Sequence, residues 1–111
     1  NAGNKRTEAA TDNIVTLSAA FNRAGIVTFW VYTGITQGIE KSMYGGFHKV
    51  RPAANDKNFL VLKTDNSAFA GTTLYDDLRR AGVTGLIVSG FNFGSCVKAT
   101  CLDARTAGFN V

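Results

Sequence analysis

A cysteine stands where a predicted strand gives way to a predicted helix. Residues 86–88 form an apolar run typical of a buried strand, the chain breaks at Gly90, and Cys96 falls in the first turn of the helix that follows. The unpaired N–H groups and partial positive charge of a helix N-terminus favour a thiolate, which is a stronger nucleophile than a thiol. The alternative interpretation is a small cysteine that serves only as packing.

A lysine ends the strand that precedes this one along the chain. Residues 58–63 read Asn-Phe-Leu-Val-Leu-Lys, an apolar run that ends on Lys63. The carboxyl ends of parallel strands meet at the edge of the sheet where ligands bind, so Lys63 and Cys96 are expected at one edge. Beside a thiolate the lysine would stabilise negative charge. A lysine that simply closes a strand in solvent is the other interpretation.

Three Ala-Gly joints divide the chain into helices and strands. Glycine follows the end of a helical pattern at Gly25, Gly82 and Gly108, and an apolar strand comes next each time. Helices are predicted over residues 8–24, 72–81 and 94–107, and strands over residues 26–32, 58–63 and 85–89. The apolar spacing predicts these inward-facing residues: Ile14, Leu17, Phe21, Ala24, Leu74, Leu78, Val97, Cys101 and Ala104.

Alternating strands and helices predict an α/β fold, a three-layer Rossmann-like arrangement with a mainly parallel sheet. The strand 26–32 lacks polar alternation, as expected when both faces of a strand are buried. The 111 residues suit a single domain. The sequence begins with a helix that no strand precedes and stops three residues into a strand. We therefore expect an incomplete domain that lacks its first strand and its C-terminal elements.

Composition narrows the classes of partner. The net charge of +4 comes from scattered basic residues, which argues against nucleic-acid binding. The longest apolar run is too short to cross a membrane, and no signal-peptide pattern opens the chain. Cys96 and Cys101 lie about 140° apart on a helix and cannot pair with each other. A reducing, cytoplasmic setting is expected.

The residues of the second half follow a recognisable order. The chain resembles the isochorismatase-like cysteine hydrolases, which include nicotinamidases, N-carbamoylsarcosine amidases, ureidoacrylate and biuret hydrolases, and isochorismatases. The resemblance is strongest over residues 59–111. It is carried by Lys63, Ser67-Ala68-Phe69, Gly71-Thr72, Leu74, Leu78, Gly82-Val83, Gly90, Cys96-Val97, Thr100, Asp103-Ala104 and Gly108.

The resemblance implies an Asp–Lys–Cys triad in which Lys63 and Cys96 supply two members. The aspartate is expected at the end of the first strand, before Asn1. Asp65 lies near Lys63 but does not occupy the family position, and Asp12 falls inside the first predicted helix, so neither is assigned as the triad aspartate. The reaction implied is hydrolysis of a small amide or ureide C–N bond through a cysteine thioester.

The turn before the cysteine also has an implied role. The resemblance places a cis peptide bond at Phe91–Asn92 and an oxyanion hole at the backbone amides of Asn92 and Cys96. Three aromatic residues are predicted to line the substrate pocket, although packing in the core is the alternative: Trp30, Tyr32 and Phe69.

The remaining expectations concern cofactors and partners. The nicotinamidase branch of the family holds a metal with an Asp-x-His and a further histidine, whereas this chain has the single histidine His48. We therefore predict no metal and no cofactor. The loop of residues 34–57 is expected to determine the specificity for a small-molecule substrate. Unpaired sheet edges predict a homo-oligomer or association with the missing part of the chain.

Three other functions stay open. A vinyl-ether hydrolase of the isochorismatase type would not need a thiolate. A non-catalytic α/β binding or scaffold module would keep the fold without the reaction. An oxidant-sensing thiol protein would use the same reactive cysteine, but it lacks an obvious resolving cysteine.

Overall fold

The computed structural model describes residues 2–33, 55–90 and 93–111. Helix α1 spans Ala2–Arg23 and strand β1 spans Thr28–Thr33. Strand β2 (Asn58–Lys63) pairs with β1, and helix α2 (Leu74–Arg80) follows. A wide π turn at Phe93–Val97 leads directly into helix α3 (Lys98–Thr106). The chain divides into two compact units, with the strands passing from the first to the second after Tyr32 and after Leu60.

In the first unit, α1 is held to the strand that follows it by polar contacts. The Ser18 hydroxyl lies 2.7 Å from that of Thr28, and Ser18 is buried although its neighbour Leu17 is 44% exposed. Ala24, also predicted to face inward, is exposed. The prediction for this helix face is therefore wrong at Leu17 and Ala24, because the contact to β1 rotates the buried face onto Ser18.

The start of β2 is anchored in the same unit. The side-chain oxygen of Asn58 accepts hydrogen bonds from Asn22 at 2.8 Å and from the Trp30 indole at 3.1 Å. The Phe29 ring stacks on the Phe59 ring with centroids 5.1 Å apart. Val31 on β1 is exposed, so the prediction that this strand is buried on both faces is wrong at that residue. In the described part of the chain, no helix combines the length and apolar character needed to cross a membrane.

In the second unit, four of the five residues that helical spacing predicted to face inward are buried, and the fifth, Cys101, is half-buried. Val61 on β2, Leu74 and Leu78 on α2, and Val97 and Ala104 at α3 are buried. Alternation along β2 places Lys63 on the same face as Val61, whereas Leu62 between them is 68% exposed. This alternation brings the charged end of the strand inward.

The predicted strand over residues 85–89 is not formed as an extended ladder. The described residues show one parallel bridge, between Gly85 and Asn110. Asn110 donates to the Thr84 carbonyl at 2.9 Å and accepts from the Leu86 amide at 2.7 Å. Ile87 is exposed. The strand prediction is wrong beyond this bridge, because backbone pairing stops after Leu86.

Arg79 clamps the end of α3 to α2. Its guanidinium donates to the Ala107 carbonyl at 2.7 Å and lies 4.3 Å from the centre of the Phe109 ring. It also lies 5.3 Å from the Tyr75 ring. Gly108 has φ +96°, and a Cβ there would come within 3.2 Å of the guanidinium. Glycine therefore allows both the backbone turn and the approach of Arg79.

Truncating a core leucine should cost far more stability than truncating an exposed one. Leu78 is 2% exposed, whereas Leu102, also helical and in the same unit, is 54% exposed. We expect Leu78→Ala to lower the free energy of unfolding by about 2–5 kcal/mol through lost burial and a cavity. The matched Leu102→Ala should change it by less than about 0.5 kcal/mol. Urea unfolding followed by circular dichroism measures both, and equal losses would contradict this assignment of the core.

Candidate active site

Lys63 ends β2 with its ammonium group inside the protein. The residue is 6% exposed, so it does not close the strand in solvent. Its Nζ donates to the backbone carbonyls of Asp65 at 2.8 Å and Asn66 at 3.2 Å, and it lies 3.4 Å from the sulfur of Cys96. A lysine ammonium has three donors, and each has an acceptor here. This satisfies a group that would otherwise be costly to bury.

The turn after β2 is shaped to present those two carbonyls. The Asp65 carboxylate accepts the Asn66 backbone N–H at 2.8 Å. Its carboxylate is thus engaged with the turn, while its carbonyl oxygen contacts Lys63. Asp65 therefore holds the lysine through the backbone, consistent with its lying outside the position implied for the triad aspartate.

Cys96 sits in the π turn that begins the last helical segment. The turn spans Phe93–Val97, so the cysteine lies just before α3 and not in the first turn of a regular α-helix. Such wide turns often occur at functional sites. Cys96 is half-buried, and the buried Val97 beside it anchors the turn. The sulfur also lies 3.9 Å from the side-chain oxygen of Asn66 and 4.0 Å from the Ser95 hydroxyl.

A hydrogen bond joins the Ser67-Ala68-Phe69 segment to α3. The Ala68 backbone N–H donates to the Thr100 hydroxyl at 3.0 Å, four residues after Cys96 and therefore one helical turn along. The Ala68 carbonyl accepts the Thr72 hydroxyl at 2.5 Å. Ala68 itself is 2% exposed. The segment that follows Lys63 is thus fixed to the helix that follows Cys96.

The other predicted site residues are placed as follows. Phe69 is half-buried and stacks on Phe109, with centroids 6.2 Å apart. Trp30 and Tyr32 are half-buried in the first unit, where Trp30 donates to Asn58. Their role as pocket walls stays a prediction.

Part of the predicted site lies outside the described residues. This holds for the cis peptide bond at Phe91–Asn92, for the Asn92 oxyanion amide and for His48. These assignments stay predictions. Within the described ranges, no group of three or more His, Cys, Asp or Glu residues could hold a metal ion.

Asn66 is the site residue that sequence reasoning missed. Its carbonyl accepts from Lys63, and its side-chain oxygen approaches the sulfur of Cys96. The sequence feature that could have identified Asn66 is its position, three residues after Lys63 and directly before Ser67. A polar residue in that turn is common for local reasons, so its type alone did not mark it.

Comparison with known proteins extends over the whole chain. The family model described as the isochorismatase domain matches residues 1–111. A pyrazinamidase of Pyrococcus horikoshii is similar with a TM-score of 0.78 and 21% identity, over 95% of this chain and 69% of that one. An isochorismatase of Pseudomonas putida is similar with a TM-score of 0.77 and 27% identity, over 90% of this chain and 53% of that one. An N-carbamoylsarcosine amidase of Thermoplasma acidophilum is similar with a TM-score of 0.73 and 19% identity, over 93% of this chain and 65% of that one.

These structural likenesses confirm the predicted α/β fold with a mainly parallel sheet. A curated relative from Arabidopsis thaliana, named as a probable inactive nicotinamidase, is 35% identical over 49 residues. That match covers 44% of this chain and 25% of the relative. The chain therefore aligns with about a quarter of that protein and with roughly half to two thirds of the similar structures.

Cys96 should react with alkylating agents faster than Cys101. Both cysteines are unpaired and half-buried, so exposure alone does not separate them. The Lys63 ammonium lies 3.4 Å from the Cys96 sulfur, and a cation at that place favours the reactive thiolate. Timed iodoacetamide labelling with peptide mass spectrometry measures both rates, with Cys101→Ser as the control. Faster labelling of Cys101 would remove the basis for a reactive Cys96.

Removing the Thr100 hydroxyl should loosen the segment after Lys63. Thr100→Val keeps the shape of the side chain but leaves the buried Ala68 N–H without its acceptor. We expect a loss of about 1–3 kcal/mol in the free energy of unfolding. The matched Thr100→Ser retains the oxygen and should lose much less. If both variants unfold at the same urea concentration, the hydrogen bond does not hold this segment.

Proposed function

The chain belongs to the isochorismatase family, whose domain model matches all of its residues, and we propose that the protein hydrolyses small amide- or ureide-type C–N bonds through a thioester on Cys96. The observation that carries this proposal is the 3.4 Å contact between the Lys63 ammonium and the Cys96 sulfur. A cation held against a sulfur supports nucleophilic catalysis. The amidases among the similar structures agree with this reaction class.

The mechanism begins with the sulfur of Cys96. The thiol proton passes to the carboxylate that the family triad implies, and the sulfur attacks the substrate carbonyl carbon. Lys63 stabilises the charge on the sulfur, since two carbonyls hold its ammonium in place. As the tetrahedral intermediate collapses, the C–N bond breaks and the nitrogen leaves with the proton. Water then cleaves the thioester, which releases the acid and restores the thiol.

The developing oxyanion needs hydrogen-bond donors. We assign this role to the backbone amide of Cys96, in the π turn, and to that of Asn92, as the family resemblance implies. Amides at such a position are preorganised and carry no charge that must be neutralised beforehand. Each donor of this kind typically accelerates the reaction by about 10²–10³-fold.

The substrate class follows from the relatives and the proposed pocket. A pyrazinamidase and an N-carbamoylsarcosine amidase are among the similar structures, so carboxamides and ureides form the natural test panel. Phe69, which lies in the same unit as Lys63 and Cys96, is proposed to contact a small planar group. Aromatic side chains provide flat apolar surfaces for such substrates.

Two other functions each have one supporting observation. The Arabidopsis relative is named as a probable inactive nicotinamidase, which favours a non-catalytic binding module. The similar Pseudomonas putida structure is an isochorismatase, which favours hydrolysis of a vinyl ether without a thiolate. The Lys63–Cys96 contact favours the cysteine hydrolase over both, because neither alternative needs a cation beside a sulfur.

Removing the nucleophile should abolish turnover of the panel. We expect Cys96→Ala to lower kcat/KM for the best amide by on the order of 10⁴-fold or more, as loss of a covalent nucleophile does. Lys63→Met, which fills the buried space without the charge, should lose on the order of 10²–10³-fold. The double variant should be little worse than Cys96→Ala, since Lys63 then has no sulfur to stabilise.

Controls separate lost chemistry from lost folding. Circular dichroism checks each variant, and Cys101→Ser is the matched cysteine control that should keep its activity. Full amide turnover by Cys96→Ala would refute the thioester, and turnover of a vinyl ether by that variant would favour the isochorismatase reaction. Absence of turnover in the folded unmutated protein would favour the binding module.

A further inference from the structure

The contact between Lys63 and Cys96 also places an amine nitrogen where it could form a covalent bond with an oxidised sulfur. We propose that hydrogen peroxide converts this pair into a sulfenamide, a covalent bond between Nζ of Lys63 and Sγ of Cys96 that thiols reverse. The two atoms lie 3.4 Å apart. The proposal does not rest on the hydrolytic function, because it requires only this contact and a thiol that peroxide can reach.

The hydrogen bonds of Lys63 orient its nitrogen toward the sulfur. A lysine nitrogen is tetrahedral, with one bond to its side chain and three positions that carry protons or a lone pair. Two of those positions donate to the carbonyls of Asp65 and Asn66. The third points to the Cys96 sulfur. When the nitrogen loses this third proton, its lone pair faces the sulfur directly.

No thiol stands ready to compete with this amine. Cys101 is unpaired and lies in α3, five residues beyond the π turn position of Cys96. In the described part of the chain, the other polar groups near the sulfur are oxygens, from Asn66 at 3.9 Å and Ser95 at 4.0 Å. An amide oxygen and a hydroxyl are weaker nucleophiles than an amine. Lys63 therefore takes the role that a resolving cysteine has in other redox sites.

The reaction balances in two steps. The Cys96 thiolate attacks one oxygen of hydrogen peroxide, the O–O bond breaks, and a sulfenic acid and hydroxide form. The hydroxide takes one proton from the Lys63 ammonium, which gives the first water. The amine attacks the sulfur, the S–O bond breaks, and the leaving hydroxide takes a second proton from the nitrogen to give the second water. Thiolate, ammonium and one peroxide thus give one S–N bond and two waters. The sulfur loses two electrons and the peroxide gains them.

The position of the amine favours this outcome over further oxidation. Groups held in contact react as if at very high concentration, and the flexible four-carbon stem of lysine lets the nitrogen move to bonding distance. A sulfenic acid left alone would proceed to the irreversible sulfinic acid. The cross-link stops that process and blocks the sulfur until a thiol reduces it. The pair thereby forms a reversible redox switch.

The experiment treats the protein with a small excess of hydrogen peroxide and measures its intact mass. We expect a loss of two hydrogen atoms relative to the reduced protein. Tryptic digestion should yield residues 58–79, uncleaved at Lys63, joined to residues 81–98. Dithiothreitol should separate these peptides and restore both side chains. Cys101→Ser should form the cross-link to the same extent.

Lys63→Arg is the decisive variant, because it keeps the positive charge but offers no comparable amine. It should form no cross-link, and its Cys96 should instead bind dimedone, which traps sulfenic acids, and proceed to sulfinic acid. Equal dimedone labelling in both proteins would overturn the proposal. So would a loss of two hydrogens that maps to the Cys96–Val97 backbone or to a disulfide with Cys101. Should Lys63→Arg fail to fold, the joined peptides of the unmutated protein decide the question alone.

Discussion

The buried ammonium of Lys63 is the constraint on which the second unit depends. An ammonium removed from water must have an acceptor for each donor, or the fold loses several kcal/mol (about 2–7 for a polar group, more for a charge). The turn at residues 64–66 therefore has to present two carbonyls, and the helical segment has to bring a sulfur to the third position. One nitrogen thus fixes the end of β2, the turn and the start of α3 relative to one another.

Helix α3 is also held by contacts away from Cys96, and these contacts help to keep the sulfur beside the Lys63 ammonium. Ala68 donates to Thr100 one turn after Cys96, and Arg79 binds the carbonyl at the C-terminal end, Ala107. α3 has nine residues, a length at which a helix depends on tertiary contacts for its stability. The position of Cys96 is therefore set by packing and capping along the whole helix, and only its final orientation by the π turn.

Sequence reasoning located the lysine and the cysteine because strand ends and helix starts converge at one edge of a parallel sheet. Helical spacing also found Leu74 and Leu78. It could not find Asn66 or Arg79, since their roles depend on atoms distant in the chain. Periodicity reports which residues share a face, but not whether another element covers that face. Within the described part of the chain, Leu17 and Ile87 are exposed, although the sequence pattern predicted both to be buried.

Two properties of Lys63 underlie the two proposals, and they are chemically distinct. Hydrolysis uses its positive charge, which stabilises negative charge on the sulfur. The cross-link uses its lone pair, which appears only after the proton is lost. Arginine retains the first property and lacks the second, so a single position can separate charge stabilisation from nucleophilic attack. The same short contact serves both, because a donor aimed at a sulfur becomes a nucleophile aimed at that sulfur once it is deprotonated.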